Sequence, residues 1–373
     1  MVKTRSLSFP IIPAAFAMIL GGCAARGPFA QVTPESIVLS LGPSAPFLSI
    51  AELSGSLSAV YADPATTTLD LIEIPGGRHL ASTAPAPVVI DKVDVVAPLS
   101  PTFGEHVLCV AGGTIAVLYL DRETDVKSVL KLATRSAGQQ QWDLETLEPA
   151  GDPLALVPGQ GGGFDAAWCS GLLSYRPVGY GGTPGVPELP FRVQGRPSPD
   201  GIDGFTAFDT LTSSLLFVRW TGTGFTKQVI DGGTPVQASL RTAAGRLKVV
   251  TWDARARRII LHQETAPGAK LSTATVTLCD GTKQLALLPG DSESTVIVVF
   301  DETHAAGGGK AVYEVSLIAP GSLLGGWGSR YRKEVVTSGE ALIDGLAATR
   351  TPDALYVLVS QGDLRLFRIP LSR

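Results

Sequence analysis

The sequence predicts an all-β fold, a β-propeller of seven blades with six or eight as neighbouring solutions; a pair of β-sandwiches is the alternative with the same strand content. Three observations lead there. Glycine (42) and proline (27) are spread through the whole chain and cut it into short runs rich in Val, Ile, Leu and Thr. Convincing amphipathic helices are missing: the best candidate, Val126 to Thr134, sits where neighbouring repeats carry a strand and is read as one. Finally, one hairpin pattern recurs along the chain.

In that hairpin an apolar strand ends in an aromatic or aliphatic residue, usually followed by Asp; a polar turn and a second alternating strand follow. Copies run Leu57–Asp63 with Leu69–Ile74, Ile115–Asp121 with Ser128–Thr134, Leu247–Asp253 with Arg258–Gln263, and Thr295–Asp301 with Lys310–Leu317. Variants without the aspartate are Leu172–Tyr175, Leu215–Trp220 and Leu355–Ser360. The ends of the first strands fall at positions 63, 121, 175, 220, 253, 301 and 360, spaced by 33 to 59 residues. That range overlaps the ~40–50 residues of a four-stranded blade, although 33 is too short for one. The aspartates have an ordinary task available, since a short carboxylate opens a turn by accepting from backbone amides two residues on.

Further strands complete the units. Phe47–Leu53, Val107–Val110 and Gln237–Leu240 precede hairpins; Pro87–Val96, Gln141–Leu147 and Leu271–Leu278 follow them. The last unit offers Ile343–Thr349, Leu355–Ser360 and Leu364–Ile369 and stops one strand short, while Ser36–Leu41 is a strand without a hairpin partner. Pairing Ser36–Leu41 as the outermost strand of the last blade would cover its edge and close the ring. Residues 36–373 therefore form the predicted propeller domain. Residues 177–204 read as a surface loop rich in Gly and Pro, of the kind that carries binding on a rigid scaffold.

The first residues follow a different plan. Lys3 and Arg5 open the chain, an apolar stretch runs from Phe9 through Leu20, and small residues Gly21 and Gly22 follow. The stretch is shorter than the ~20 residues of a spanning helix, and Pro10 and Pro13 weaken any helix there. Leu20-Gly21-Gly22-Cys23 resembles the lipobox of bacterial lipoproteins. The resemblance implies a signal peptide over residues 1–22, removed to leave an acylated (palmitate-bearing) Cys23, and a lipidated tether over residues 23–35. It also implies that a bilayer is the first partner, held by enough acyl chains for stable attachment. Ala24 stands after the cysteine instead of aspartate, which leans toward the outer membrane, with the periplasmic or surface face left open.

Cleavage before Cys23 would leave 28 basic and 34 acidic residues, a mildly acidic surface without a basic block, which argues against nucleic acid. Cys109, Cys169 and Cys279 are an odd set in strand-like surroundings, read as buried thiols, with a Cys109–Cys169 bridge as the alternative. His79, His106, His262 and His304 show no ligand spacing, and the turn Asp301-Glu302-Thr303-His304 reads as solvated rather than metal-binding. Ser198 to Gly204 fits neither a calcium loop nor an Asp-box, because Ile202 fills a slot that each needs, and is read as a turn. Neither Gly159-Gln160-Gly161-Gly162-Gly163 nor Gly307-Gly308-Gly309-Lys310-Ala311 has the context of a phosphate loop. Trp142, Trp168, Trp220, Trp252 and Trp327 are read as packing between blades.

No catalytic residue, metal or cofactor is thereby assigned. The expectation is a lipid-anchored envelope lipoprotein whose propeller binds or scaffolds an envelope protein or glycan without catalysis. The alternative is a glycan-active hydrolase or lyase with acids and arginines gathered at the propeller axis.

Overall fold

A computed structural model describes residues 34–41, 46–76, 79–81, 83–93, 103–124, 127–159, 163–178, 190–221, 224–230, 232–279, 281–290, 293–304, 311–320 and 331–371. The signal peptide, Cys23, nearly all of the tether, Trp327 and Gly307–Lys310 lie outside them.

The seven sheets of the chain are the blades. Strand β1 (Glu35–Leu41) comes first, one residue earlier than expected, and is set aside for the end of the ring. Blade 1 is β2 (Leu48–Leu53), β3 (Ser56–Asp63), β4 (Thr68–Pro75) and β5 (Val88–Lys92). Blade 2 is β6 (His106–Ala111), β7 (Thr114–Thr124), β8 (Lys127–Ser136) and β9 (Asp143–Leu147). Blade 3 holds three strands among the described residues, β10 (Asp152–Pro158), β11 (Phe164–Cys169) and β12 (Leu173–Val178). Blade 4 is β13 (Val193–Pro199), β14 (Gly204–Asp209), β15 (Ser214–Trp220) and β16 (Phe225–Ile230). Blade 5 is β17 (Gln237–Arg241), β18 (Leu247–Asp253), β19 (Arg258–Glu264) and β20 (Leu271–Leu278). Blade 6 is β21 (Thr282–Pro289), β22 (Thr295–His304), β23 (Ala311–Pro320) and β24 (Tyr331–Gly339). Blade 7 is β25 (Gly345–Arg350), β26 (Ala354–Ser360) and β27 (Asp363–Pro370), and β1 is its fourth strand.

Every pairing within a blade is antiparallel, and the first strand of each blade lies beside the first strands of both neighbours, with β25 next to β2. The ring is closed by β1, whose Glu35 faces Arg368 and whose Leu41 faces Asp363 of β27. This is the seven-bladed propeller with N-terminal closure that the sequence predicts. The β-sandwich pair is excluded, since its two facing sheets could not place seven first strands around one axis.

Second strands show why their sequences are continuous apolar runs. Residues alternate between the faces of a strand, and in a propeller both faces are covered by blades. In β26, Leu355, Val357 and Val359 pack toward blade 6, while Ala354, Tyr356 and Leu358 pack toward blade 1. In β3, Val60 and Ala62 face blade 2, and Ala59 and Tyr61 face blade 7. Burying each such Val or Leu contributes about 1.5–3 kcal/mol, so a charge at Val357, fully buried, would break two blades at once. Outermost strands are polar on one face, and Val229 and Leu278 stand exposed there.

Two blades correct the expected alignment. Positions 175 and 220 lie on β12 and β15, the third strands of their blades, not the second. The second strands end at Cys169 and Asp209, and with these as anchors the intervals become 40 to 59 residues. The apparent 33-residue blade was a slip of one strand: second and third strands of blade 4 are both buried, so apolarity alone does not distinguish them. Residues 177–204 are not one loop either, since they contain β13, the innermost strand of blade 4. Likewise Asp301-Glu302-Thr303-His304 is the end of strand β22, paired with Ala311–Glu314, rather than a turn.

The aspartates divide into two groups. Asp63 and Asp253 open turns as expected, accepting from the amides of Ala65 (2.8 Å) and Arg255 (3.0 Å), and Asp209, not among the expected aspartates, does the same for Leu211 (3.1 Å). Asp121 instead pairs with Lys131 at 2.7 Å. Asp301, buried, receives Thr282 Oγ1 at 2.9 Å and the Cys279 thiol at 2.8 Å. Cys109, Cys169 and Cys279 are all buried free thiols, so the alternative Cys109–Cys169 bridge is not formed. Tryptophans fill seams: Trp168 between blades 2 and 3, Trp252 between blades 5 and 6, and Trp220 stacked on Tyr175 of blade 3 with ring centroids 3.2 Å apart.

Candidate functional site: the axial channel

The seven first strands surround a channel of about 900 Å³. Its lining mixes apolar and polar groups: Leu108, Val236 and Leu285 are half-buried along it, whereas Leu48, Leu154, Leu156 and Leu287 of the same strands are buried between blades. First strands carry less apolar sequence than second strands because one edge of each borders this space instead of another strand.

One strand breaks the regularity. Across β13 and β14 the register steps from Gln194↔Phe208 to Ser198↔Thr206, so Gly195, Arg196 and Pro197 stand opposite Ala207 alone. Such a bulge re-aims side chains. Gly195 adopts a φ of +75°, and a Cβ there would lie 2.7 Å from the Pro235 carbonyl oxygen, so glycine is required twice over. The displaced backbone is sewn to blade 5 by side chains. Gln237 Nε2 donates to the carbonyls of Arg196 (2.9 Å) and Thr206 (3.2 Å), Ser239 N donates to Ser198 Oγ at 2.9 Å, and Ser239 Oγ donates to the Ser198 carbonyl at 2.6 Å.

The bulge sends Arg196 across the axis. Its guanidinium donates to the carbonyl of Leu346 in blade 7 (Nη1, 3.3 Å) and, through Nη2, to the carbonyl of Leu48 in blade 1. Water reaches it, yet protein surrounds it on every side, and this burial pulls its pKa down to about 10; the charge of Glu105 partly offsets the shift. His106, on the neighbouring wall, is fully enclosed. Burial is the main reason its pKa falls to about 4, with Arg196 adding to the fall. Since a carbonyl can only accept, Nδ1 carries the proton that bonds Gly104 at 2.6 Å. Cys109, also on the wall, is pushed up to about 12 by burial, which keeps it a thiol rather than a nucleophile.

Carboxylates along the channel sit on four different blades. Glu52 and Asp200 lie at the ends of first strands, Glu105 and Asp152 at their starts. Asp200 is occupied: its Oδ1 accepts from the amides of Ile202, Asp203 and Gly204, and its Oδ2 from Arg241 Nε at 2.8 Å. The segment Asp200–Gly204 is thus the turn that its sequence suggested, with Ser198 and Pro199 belonging to β13. Among the described residues Arg196 is the arginine that lines the channel, with the four carboxylates spread over four blades.

The histidines are not gathered. His79 is exposed and bonds Glu35 at 2.7 Å, His262 is buried against Thr251 Oγ1 at 3.1 Å, and His106 faces the channel. No group of three or more metal-ligating side chains occurs among the described residues. Arg196 itself escapes sequence reasoning because Gly195 and Pro197 flank it in a stretch that reads as loop. The available signal was a lone arginine between two residues that break a strand, beside Val193 and Ser198, where a first strand was due.

A seven-bladed propeller whose axial channel is crossed by a single arginine is the class that fold and site define. Comparison with solved structures finds similarities at low identity. YCF48 bound to D1 peptide is similar with a TM-score of 0.55 at 16% identity, covering 91% of this chain and 96% of that one. A Dyadobacter fermentans protein of unknown function aligns with a TM-score of 0.48 at 10% identity, over 91% and 98% of the two chains. A six-bladed fucose-recognising lectin of Aleuria aurantia aligns with a TM-score of 0.45 at 12% identity, over 83% and 97%. No family profile and no curated protein sequence matches this chain.

Proposed function

We propose that this protein is a lipid-anchored propeller of the bacterial cell envelope, held at the outer membrane through acylated Cys23, which binds a ligand along its axis without transforming it. The observation that carries the binding half is the channel: about 900 Å³ between apolar and polar lining groups, with one guanidinium directed across it. A few placed polar groups in an apolar concavity are the usual makeup of a ligand site. YCF48, which shares the fold, was solved with a D1 peptide bound, and this supports recognition as a use of the scaffold. The anchoring half rests on Leu20-Gly21-Gly22-Cys23 after a charged start and an apolar core.

Each half has its own test. Labelled palmitate should enter the wild-type chain and leave Cys23→Ala unlabelled and released from membranes; equal labelling of both chains removes the anchor. A photocrosslinker at Glu52 or Lys283, on the channel lining, should capture the same species in the envelope. One at Leu278, exposed on an outermost strand, should not. Equal capture at all three positions removes the axial site.

A further inference from the structure

The other well-buried arginines among the described residues are matched to carboxylates. Arg135 pairs with Glu73 at 2.8 Å, Arg241 with Asp200 at 2.8 Å, and Arg368 with Asp353 at 3.3 Å. That is the normal condition for a guanidinium taken out of bulk water. Arg196 is the exception. No carboxylate among the described residues lies within ion-pair distance of it, and its hydrogen bonds go to two backbone carbonyls. A guanidinium has five N–H donors in one plane, so three remain, one of them on each terminal nitrogen.

We propose that the axial channel takes a small carboxylate with an apolar body, its carboxylate seated on the free donors of Arg196 and its body against the apolar lining groups. This rests on the axial binding reading and names the ligand class for that same site. The wall selects the body: Leu108, Val236, Leu285 and Ala286, half-buried on the channel lining, offer hydrocarbon beside its polar groups. The planar fork of the guanidinium selects the head group. One guanidinium matches one planar carboxylate, which accepts two parallel N–H bonds. A phosphate would bring more negative charge than one cation offsets, because His106 stays neutral there and Glu105 adds a negative charge nearby. The two carbonyl bonds fix the orientation of the guanidinium before any ligand arrives, which lowers the entropy cost of binding. A purely structural tie between blades 4, 7 and 1 would use the same two bonds and show no preference for anions.

Isothermal titration of the full chain in detergent with hexanoate, hexanamide and inorganic phosphate separates these cases. Hexanoate should bind at least tenfold more tightly than hexanamide, its uncharged counterpart, and more tightly than phosphate. In Arg196→Gln the hexanoate affinity should fall to that of hexanamide. Equal affinities for hexanoate and hexanamide in the wild type overturn the proposal, as does unchanged hexanoate binding in Arg196→Gln or phosphate binding as tight as hexanoate. Should Arg196→Gln fail to fold, the wild-type hexanoate-to-hexanamide ratio decides alone. Site-specific capture at Glu52 and Lys283 without a hexanoate preference would remove this ligand class and leave axial binding standing.

Discussion

Glu35 and Arg368 face each other across the closing blade, register partners whose carboxylate Oε1 and guanidinium Nη1 lie 3.7 Å apart. Glu35 also accepts from the Leu80 amide at 2.9 Å and bonds His79 at 2.7 Å, so it ties β1 to both the end of the chain and the loop after β4. Burial pushes its pKa up, but the Leu80 bond, His79 and Arg368 outweigh this and leave it below the ordinary value. A lowered carboxylate stabilises above its unfolded pKa, and the gain disappears as pH falls through the folded one. Glu35→Gln should therefore cost about 1 kcal/mol or less at pH 7 and nothing in strong acid. Ile37→Asp, on the buried face of the same strand, should cost about 3 kcal/mol or more at pH 7. Urea midpoints at pH 7 and pH 3 check both.

His106 sets a second pH response. Its pKa drops from 6.5 to about 4 on folding, so below 6.5 the unfolded chain takes up a proton that the folded one refuses. Stability conferred by this group is complete above pH 6.5 and is lost progressively toward pH 4, by about 3 kcal/mol at the lower limit. His106→Asn keeps a donor for Gly104 and has no proton to gain, so its thermal midpoint should fall less between pH 7 and pH 4 than that of the wild type.

The three described cysteines give a direct reading of packing. Burial raises all three, Cys109 and Cys279 to about 12, and Asp301 opposes ionisation of Cys279 further. In Cys23→Ala, native protein at pH 8 should show no rapidly reacting thiol toward Ellman's reagent, and guanidinium-unfolded protein three. One thiol after unfolding without reductant would mean that two had paired.

The bulge that aims Arg196 depends on Gly195. Gly195→Ala places a side chain in the left-handed region and against the Pro235 carbonyl, which costs about 1–2 kcal/mol for the backbone alone, before the clash. A lower denaturation midpoint should accompany loss of the hexanoate preference, because Arg196 is displaced with the strand. Wild-type hexanoate binding in this variant would show that the guanidinium does not rely on the bulge.

Turn aspartates should differ by burial. Asp209, buried, bonds Arg192 N and Leu211 N at 3.1 Å and Thr212 Oγ1 at 2.9 Å, whereas Asp63 serves the exposed Ala65 amide. Asp209→Ala should cost about 1–2 kcal/mol because three part-buried donors lose a buried acceptor, and Asp63→Ala about 1 kcal/mol or less. Chemical denaturation of the pair distinguishes them.

Much of the fold was legible in the residues. Leu355–Ser360 and Leu57–Asp63 declare themselves as strands covered on both sides, and Ser36–Leu41 was recognisable as a strand lacking a partner. The seam of blades 3 and 4 was not, because β11, β12, β14 and β15 are all short buried runs, and period-2 patterning carries no mark of rank within a blade. Strand β13 was hidden for a different reason: Arg196 and Ser198 are polar where a first strand normally alternates, since Arg196 finds its partners across the axis and Ser198 in blade 5.

What the sequence determined by itself is the all-β class, a repeat close to seven and a spare strand at the start for a last unit one strand short, since these follow from local apolarity and turn chemistry. Tertiary structure alone decided which side chains meet at the axis. Arg196, Leu48 and Leu346 come from blades 4, 1 and 7, and only closing seven sheets into one ring brings a guanidinium to carbonyls so distant along the chain.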